Sequence, residues 1–114
     1  MLAARHRLTE AAGFREVSRR GRRAAAATVV VHARPEAGDG PRAGFVVGRT
    51  VGGAVVRNRV RRRLRHLVAG RIEAWPGGTT VVVRALPAAA VASYATLESD
   101  LDACLRRVLP REAA

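Results

Sequence analysis

Residues 43–70 read AGFVVGRTVGGAVVRNRVRRRLRHLVAG, and a change of hydrophobic period inside this stretch decides the fold. Ala43 to Thr50 is a run in which Phe45, Val46 and Val47 favour a pleated strand. Gly52-Gly53 breaks it. From Ala54 to about Gly70, Val56, Val60, Leu64, Leu67 and Val68 recur at intervals of three and four, which predicts a helix with a single apolar stripe. A strand running through a glycine turn into an amphipathic helix is the opening half of an α/β unit.

Upstream, Thr28 to Arg34 is a second β-branched run, closed by Pro35, and the loop Pro35–Pro41 predicts that the two runs pair as an antiparallel hairpin. Further back, Leu8, Ala11, Ala12, Phe14 and Val17 predict a short helix over Thr9–Arg20, with Thr9 as N-cap. Gly21 stops it, and Arg19, Arg20, Arg22 and Arg23 make its exit basic. Downstream, the turn Pro76-Gly77-Gly78 introduces a strand over Thr79–Ala85, which Leu86-Pro87 closes. Ser93 is placed to cap a last helix carrying Leu97, Leu101, Leu105 and Val108, ended by Pro110. The predicted fold class is therefore an α/β two-layer sandwich, a small mixed β-sheet with an N-terminal helix, a basic crossover helix and a C-terminal helix.

The whole chain of 114 residues fits one domain, 1–114, with short flexible ends. Its 21 basic residues outnumber the nine acids, giving a formal net charge of +12, and this imbalance predicts a polyanionic partner. Every one of those basic residues is arginine, whose planar fork pairs bidentately with phosphate and stacks on bases. Apolar runs such as Ala24–Val31 are far too short to span a bilayer, so no membrane association is expected. The first residues, Met1-Leu-Ala-Ala-Arg-His-Arg7, do not form a signal peptide, and the expected location is cytoplasmic. A single cysteine, Cys104, excludes an internal disulfide framework and reads as a small core residue.

Six arginines fall within Arg57–Arg65, and no acid lies anywhere from Gly40 to Ile72. At 100° per residue Val56, Val60, Leu64 and Leu67 share one helix face, while Asn58, Arg61, Arg62 and Arg65 occupy the opposite one. Like charges at i and i+4 cost an isolated helix a few tenths of a kcal/mol each, which a phosphate backbone would offset. A merely solvated face would interleave both signs. The apolar stripe is needed to cover the sheet and carries no aromatic anchor, which argues against a membrane-surface helix. A strand precedes the helix where a helix-turn-helix needs another helix, so RNA is favoured over DNA.

The segment Val51-Gly-Gly-Ala-Val-Val-Arg-Asn-Arg-Val-Arg-Arg-Arg-Leu-Arg-His66 closely resembles the signature of the protein subunit of bacterial ribonuclease P. The likeness extends to Arg7-Leu8, Phe14, Gly21-Arg22-Arg23, Gly44-Phe45-Val46-Val47 and Val81–Ala85, and so runs from about Arg5 to Val108. The resemblance implies a subunit that binds a catalytic RNA and the 5′ leader of precursor tRNA, and promotes Mg²⁺-dependent endonucleolytic removal of that leader. It also implies that the RNA carries the chemistry and, with the substrate, most of the Mg²⁺; that the crossover through the basic helix is left-handed; and that one monomeric protein joins one RNA. On matching positions, Arg57, Asn58, Arg59, Arg61, Arg62, Arg65, His66 and Arg49 would contact RNA, and Phe14, Ser18 and His32 would line the leader groove. Ser18 and His32 stand where the family often has aromatic rings.

The residues alone leave a second reading open, a non-catalytic RNA-binding protein such as a ribosomal protein or assembly factor. No catalytic or metal-ligating residue is assigned to the chain. The acids are scattered, with Glu98, Asp100, Asp102 and Glu112 read as a solvated helix face, and His6, His32 and His66 are far apart and read as surface or RNA-contacting side chains. Trp75 reads as an anchor from loop to core.

Overall fold

The computed structural model describes residues 2–8, 17, 21–35 and 40–110. The expected first helix, with Phe14 and Ser18, lies outside them except for Val17, which is helical and buried. The described chain forms strands β1 (Arg22–Ala25), β2 (Val29–Arg34) and β3 (Arg42–Val46), helix α1 (Ala54–Ala69), strand β4 (Thr80–Ala85) and helix α2 (Tyr94–Val108). Short 3-10 turns over Ala4–His6, Ile72–Ala74 and Pro87–Ala90 link them.

The sheet order is β1-β2-β4-β3. β4 runs antiparallel to β2, with Val31 opposite Val83, and parallel to β3, with Phe45 opposite Val83. This corrects the predicted hairpin, because β2 and β3 do not pair; β4 lies between them. The reason is in its composition. Val81, Val82 and Val83 are apolar on both faces and all buried, which suits only the sheet centre. Reaching that place parallel to β3 requires a crossover, and α1 provides it. The real hairpin partner of β2 is β1, whose Arg22 and Arg23 the sequence places at the exit of a helix.

The core lies between one sheet face and the two helices. Val29, Val31, Ala33, Val81, Val83 and Ala85 of the sheet meet Val60, Leu64, Leu67 and Val68 of α1 and Leu97, Leu101, Cys104, Leu105 and Val108 of α2. Trp75 closes one end, as its sequence position predicts. α2 starts as expected, with the Ser93 hydroxyl oxygen accepting from the Thr96 N–H at 3.0 Å.

The acids of α2 are not simply solvated. Asp100 accepts from the Thr28 hydroxyl at 2.6 Å and from the Thr28 N–H at 3.2 Å, which pins the β1–β2 turn to the helix. Arg71 donates to both oxygens of Asp102 at 2.5 and 2.9 Å, to Glu98 at 2.7 Å and to the Leu67 carbonyl at 2.9 Å. The exit of α1 is thereby locked to α2, and these carboxylates raise the Arg71 pKa further.

Candidate nucleic-acid interface

The entry to α1 is set by Gly52, at φ +155°, where a Cβ would come within 3.0 Å of the Val56 side chain. Gly53 follows as N-cap and its carbonyl accepts from the Arg57 N–H at 2.9 Å, but no side chain caps the helix and its first turn holds no acid. The positive end of the helix dipole therefore adds to the arginine field.

Burial of Val60, Leu64, Leu67 and Val68 fixes the rotation of α1 and turns the cations outward in two groups. Asn58, Arg61, Arg62, Arg65 and His66 line an open cleft of ≈ 580 Å³ together with Arg7. Arg7 comes from far away in sequence, held by a parallel bridge to Ala43 of β3 and by its Nε donating to the Leu2 carbonyl at 3.2 Å. Asn58 accepts from Arg61 at 3.1 Å, so part of its work is to orient that guanidinium. The second group turns toward the segment before α2. Arg59 donates to the Ala90 carbonyl at 2.7 Å and Arg63 to the Ala92 carbonyl at 3.3 Å. Among the described residues no carboxylate pairs with any arginine of α1; the ion pairs are made by Arg5 and Arg71. Arg49 lies exposed in the turn between β3 and α1.

The other sheet face carries a second set of cations. Strand register aligns Arg23, His32, Val82 and Gly44 in one row and Ala25, Val30, Arg84 and Val46 in the next. Alternation from the core-facing residues puts Arg34 and Arg42 on this face as well, flanking Thr80. His32 is only 8% exposed and its Nδ1 has no hydrogen-bond partner among the described residues. Burial, and then the charges of Arg23 and Arg84, lower its pKa from 6.5. His32 and His6 are thus buried side chains, which corrects the surface half of their expected surface or RNA-contacting role. Gly21 lets the chain enter β1 at close range: a Cβ there would sit 2.6 Å from both the Ala33 and the Val17 carbonyl oxygens.

The arrangement therefore brings Asn58, Arg61, Arg62, Arg65 and His66 together, separates Arg59 as a side chain held by the protein, and places His32 on the opposite side of the sheet. Arg7, Arg23, Arg42 and Arg84 were not singled out as binding residues from sequence. For the three on strands the usable signal was alternation, which puts each out of phase with the core positions; Arg7 offered no local signal. Among the described residues no three His, Cys, Asp or Glu side chains gather as a metal site. What these surfaces can do is hold polyanions on two sides of one sheet.

Comparison with known proteins agrees in sequence and in fold. A family model for Ribonuclease P matches residues 2–109. The ribonuclease P protein component of Acidothermus cellulolyticus is 54% identical over 110 residues, covering 95% of this chain and 92% of that protein. That of a Nocardioides species is 55% identical over 111 residues, covering 95% of each. The Staphylococcus aureus RNase P protein superposes with a TM-score of 0.80 at 22% identity, covering 92% of this chain and 98% of the other. For the Thermotoga maritima RNase P protein the TM-score is 0.78 at 25% identity, with 91% and 98% covered. With sequence likeness along nearly its full length and the same mixed-sheet fold, the chain belongs to the ribonuclease P protein family.

Proposed function

We propose that this subunit of ribonuclease P binds the enzyme's catalytic RNA through α1 and the 5′ leader of precursor tRNA through the opposite sheet face. The observation that carries the reading is the ladder of Arg61, Arg62 and Arg65, joined by Arg7 in one cleft where no carboxylate among the described residues neutralises it. Arg57, Arg59, Asn58, His66 and Arg49 extend that contact. Arg23 and Arg84, which flank the buried His32, suit the phosphates of an unpaired leader strand, with His32, Phe14 and Ser18 lining the groove. One protein acts with one RNA in the cytoplasm, forming a single RNA-binding domain over 1–114.

The residues on these faces do not fit a divalent cation: Mg²⁺ takes carboxylate and phosphate oxygens, and guanidinium groups offer none. The ion therefore belongs with the RNA subunit and the substrate. The chain's part is to screen phosphate repulsion between catalytic RNA and precursor and to hold the leader in place. Reconstitution tests this. The protein freed of RNA should leave precursor tRNA uncut, and adding it to the catalytic RNA at low Mg²⁺ should restore 5′ maturation. Leader removal by RNA-free protein, or no gain over the RNA alone, would overturn the proposal.

A further inference from the structure

Among the described residues three large apolar side chains stand exposed: Val55 at 81%, Val91 at 91% and Tyr94 at 36%. All three border the flank of α1 that carries Arg59 and Arg63. Val55 precedes Arg59 by one helical turn, and Arg59 reaches the Ala90 carbonyl beside Val91. Arg63 reaches Ala92, two residues before Tyr94. On the same flank the rings of His66 and Tyr94 lie 6.2 Å apart between centroids, tilted by 56°. His66 also lines the arginine cleft, so this pair stands where the cleft meets the start of α2.

Apolar side chains at such exposure are ordinary when scattered. Here they cluster beside a phosphate-binding surface and include an aromatic pair, which is the composition that holds single-stranded nucleic acid: cations for the backbone and rings for the bases. The tethers to Ala90 and Ala92 fix the distance between α1 and the start of α2, so the platform needs no rearrangement to receive a base. Resting on the assignment of α1 to the catalytic RNA, we infer that Tyr94 and His66 form a stacking platform for an unpaired nucleotide of that RNA, with Val55 and Val91 packing against its sugars. The catalytic RNA is favoured over the leader because α1 and α2 pack on one side of the sheet and His32 faces the other.

The test is binding of the protein to transcribed ribonuclease P RNA, without precursor tRNA, over a range of salt. Tyr94→Ala and Tyr94→Leu should each weaken binding at least about fivefold at every salt concentration, since stacking is lost but no phosphate contact is. The lines of log affinity against log salt should therefore stay parallel to the parent. Tyr94→Phe should bind like the parent. Thermal melting separates a folding defect, and Tyr94→Phe with Tyr94→Leu keeps the comparison valid if the alanine variant is unstable. Arg62→Ala, measured alongside, should instead lower the slope. Loss of affinity in Arg62→Ala with none in Tyr94→Leu would overturn the platform and leave the helix assignment standing. No loss in either would overturn both.

Discussion

Replacing Arg62 or Arg65 by glutamine removes one cation from the cleft and leaves the fold intact, because both side chains are exposed and neither holds another part of the protein among the described residues. If each neutralises one phosphate, each variant lowers the slope of log affinity against log salt by about 0.7–0.9. Referred to 1 M salt, where the lines converge, one lost contact weakens binding about 5- to 8-fold at about 0.1 M and only about 2- to 3-fold at about 0.3 M. Arg59→Gln should differ in kind. Its guanidinium holds the Ala90 carbonyl at 2.7 Å, so the variant should also lower the thermal midpoint by loosening the segment before α2. Filter binding to the catalytic RNA at four or five salt concentrations, with melting of each free protein, provides both readouts. Parallel salt lines for Arg62→Gln and Arg65→Gln would refute the assignment of the cleft to phosphate. An unchanged midpoint for Arg59→Gln would refute its structural role.

Other outcomes follow from the same geometry. Arg71→Met leaves Asp102 and Glu98 without their shared partner and should lower stability by about 1–3 kcal/mol in urea unfolding, toward the lower end because the pairs are partly exposed. An unchanged midpoint would show that the α1–α2 lock contributes nothing. His32 has a folded-state pKa below its ordinary 6.5, so on acidification the unfolded chain takes up the proton first. The stability from burying the neutral ring is full above that value and lost as pH falls toward the lowered one, and melting between about pH 7 and about pH 5 should be flatter for His32→Gln than for the parent. Equal pH dependence in the two proteins would contradict this. Phe14→Ala should cost about 1–3 kcal/mol of holoenzyme affinity for precursor tRNA and little for mature tRNA, and Ser18→Phe should tighten precursor binding; equal effects on both RNAs would assign Phe14 to the core.

The amphipathic period of α1 was legible because burial of one face repeats every three or four residues, and Ser93 was legible because capping is chemistry local to one turn. Strand pairing was not. β1 is two arginines and two alanines, with no β-branched residue to mark it, and it is a strand because β2 offers it an edge. The central place of β4 was written in Val81-Val82-Val83, a run apolar on both faces, but the loop between β2 and β3 suggested a hairpin more directly. The arginine ladder was visible as composition, yet its division into free and tethered members was not. Arg59 and Arg63 bind main-chain carbonyls, and any residue type at Ala90 and Ala92 would present those. Likewise Arg23 and Arg84 flank His32, and Arg42 joins the same sheet face, only through register, which depends on strands brought together from distant parts of the chain.

The central strand is also the last one to be synthesised. Until Thr80–Ala85 has left the ribosome, β2 and β3 each lack their β4 partner, and Val31 and Phe45 wait for the same residue, Val83. A nascent chain in this state exposes open backbone edges next to apolar side chains, a hazard for edge-to-edge association. Seventeen of the 21 arginines but only five of the nine acids precede Thr79, so the unfinished chain is strongly self-repelling during that interval. The charge that serves the mature protein on RNA thus also keeps its half-made sheet from pairing with a neighbour.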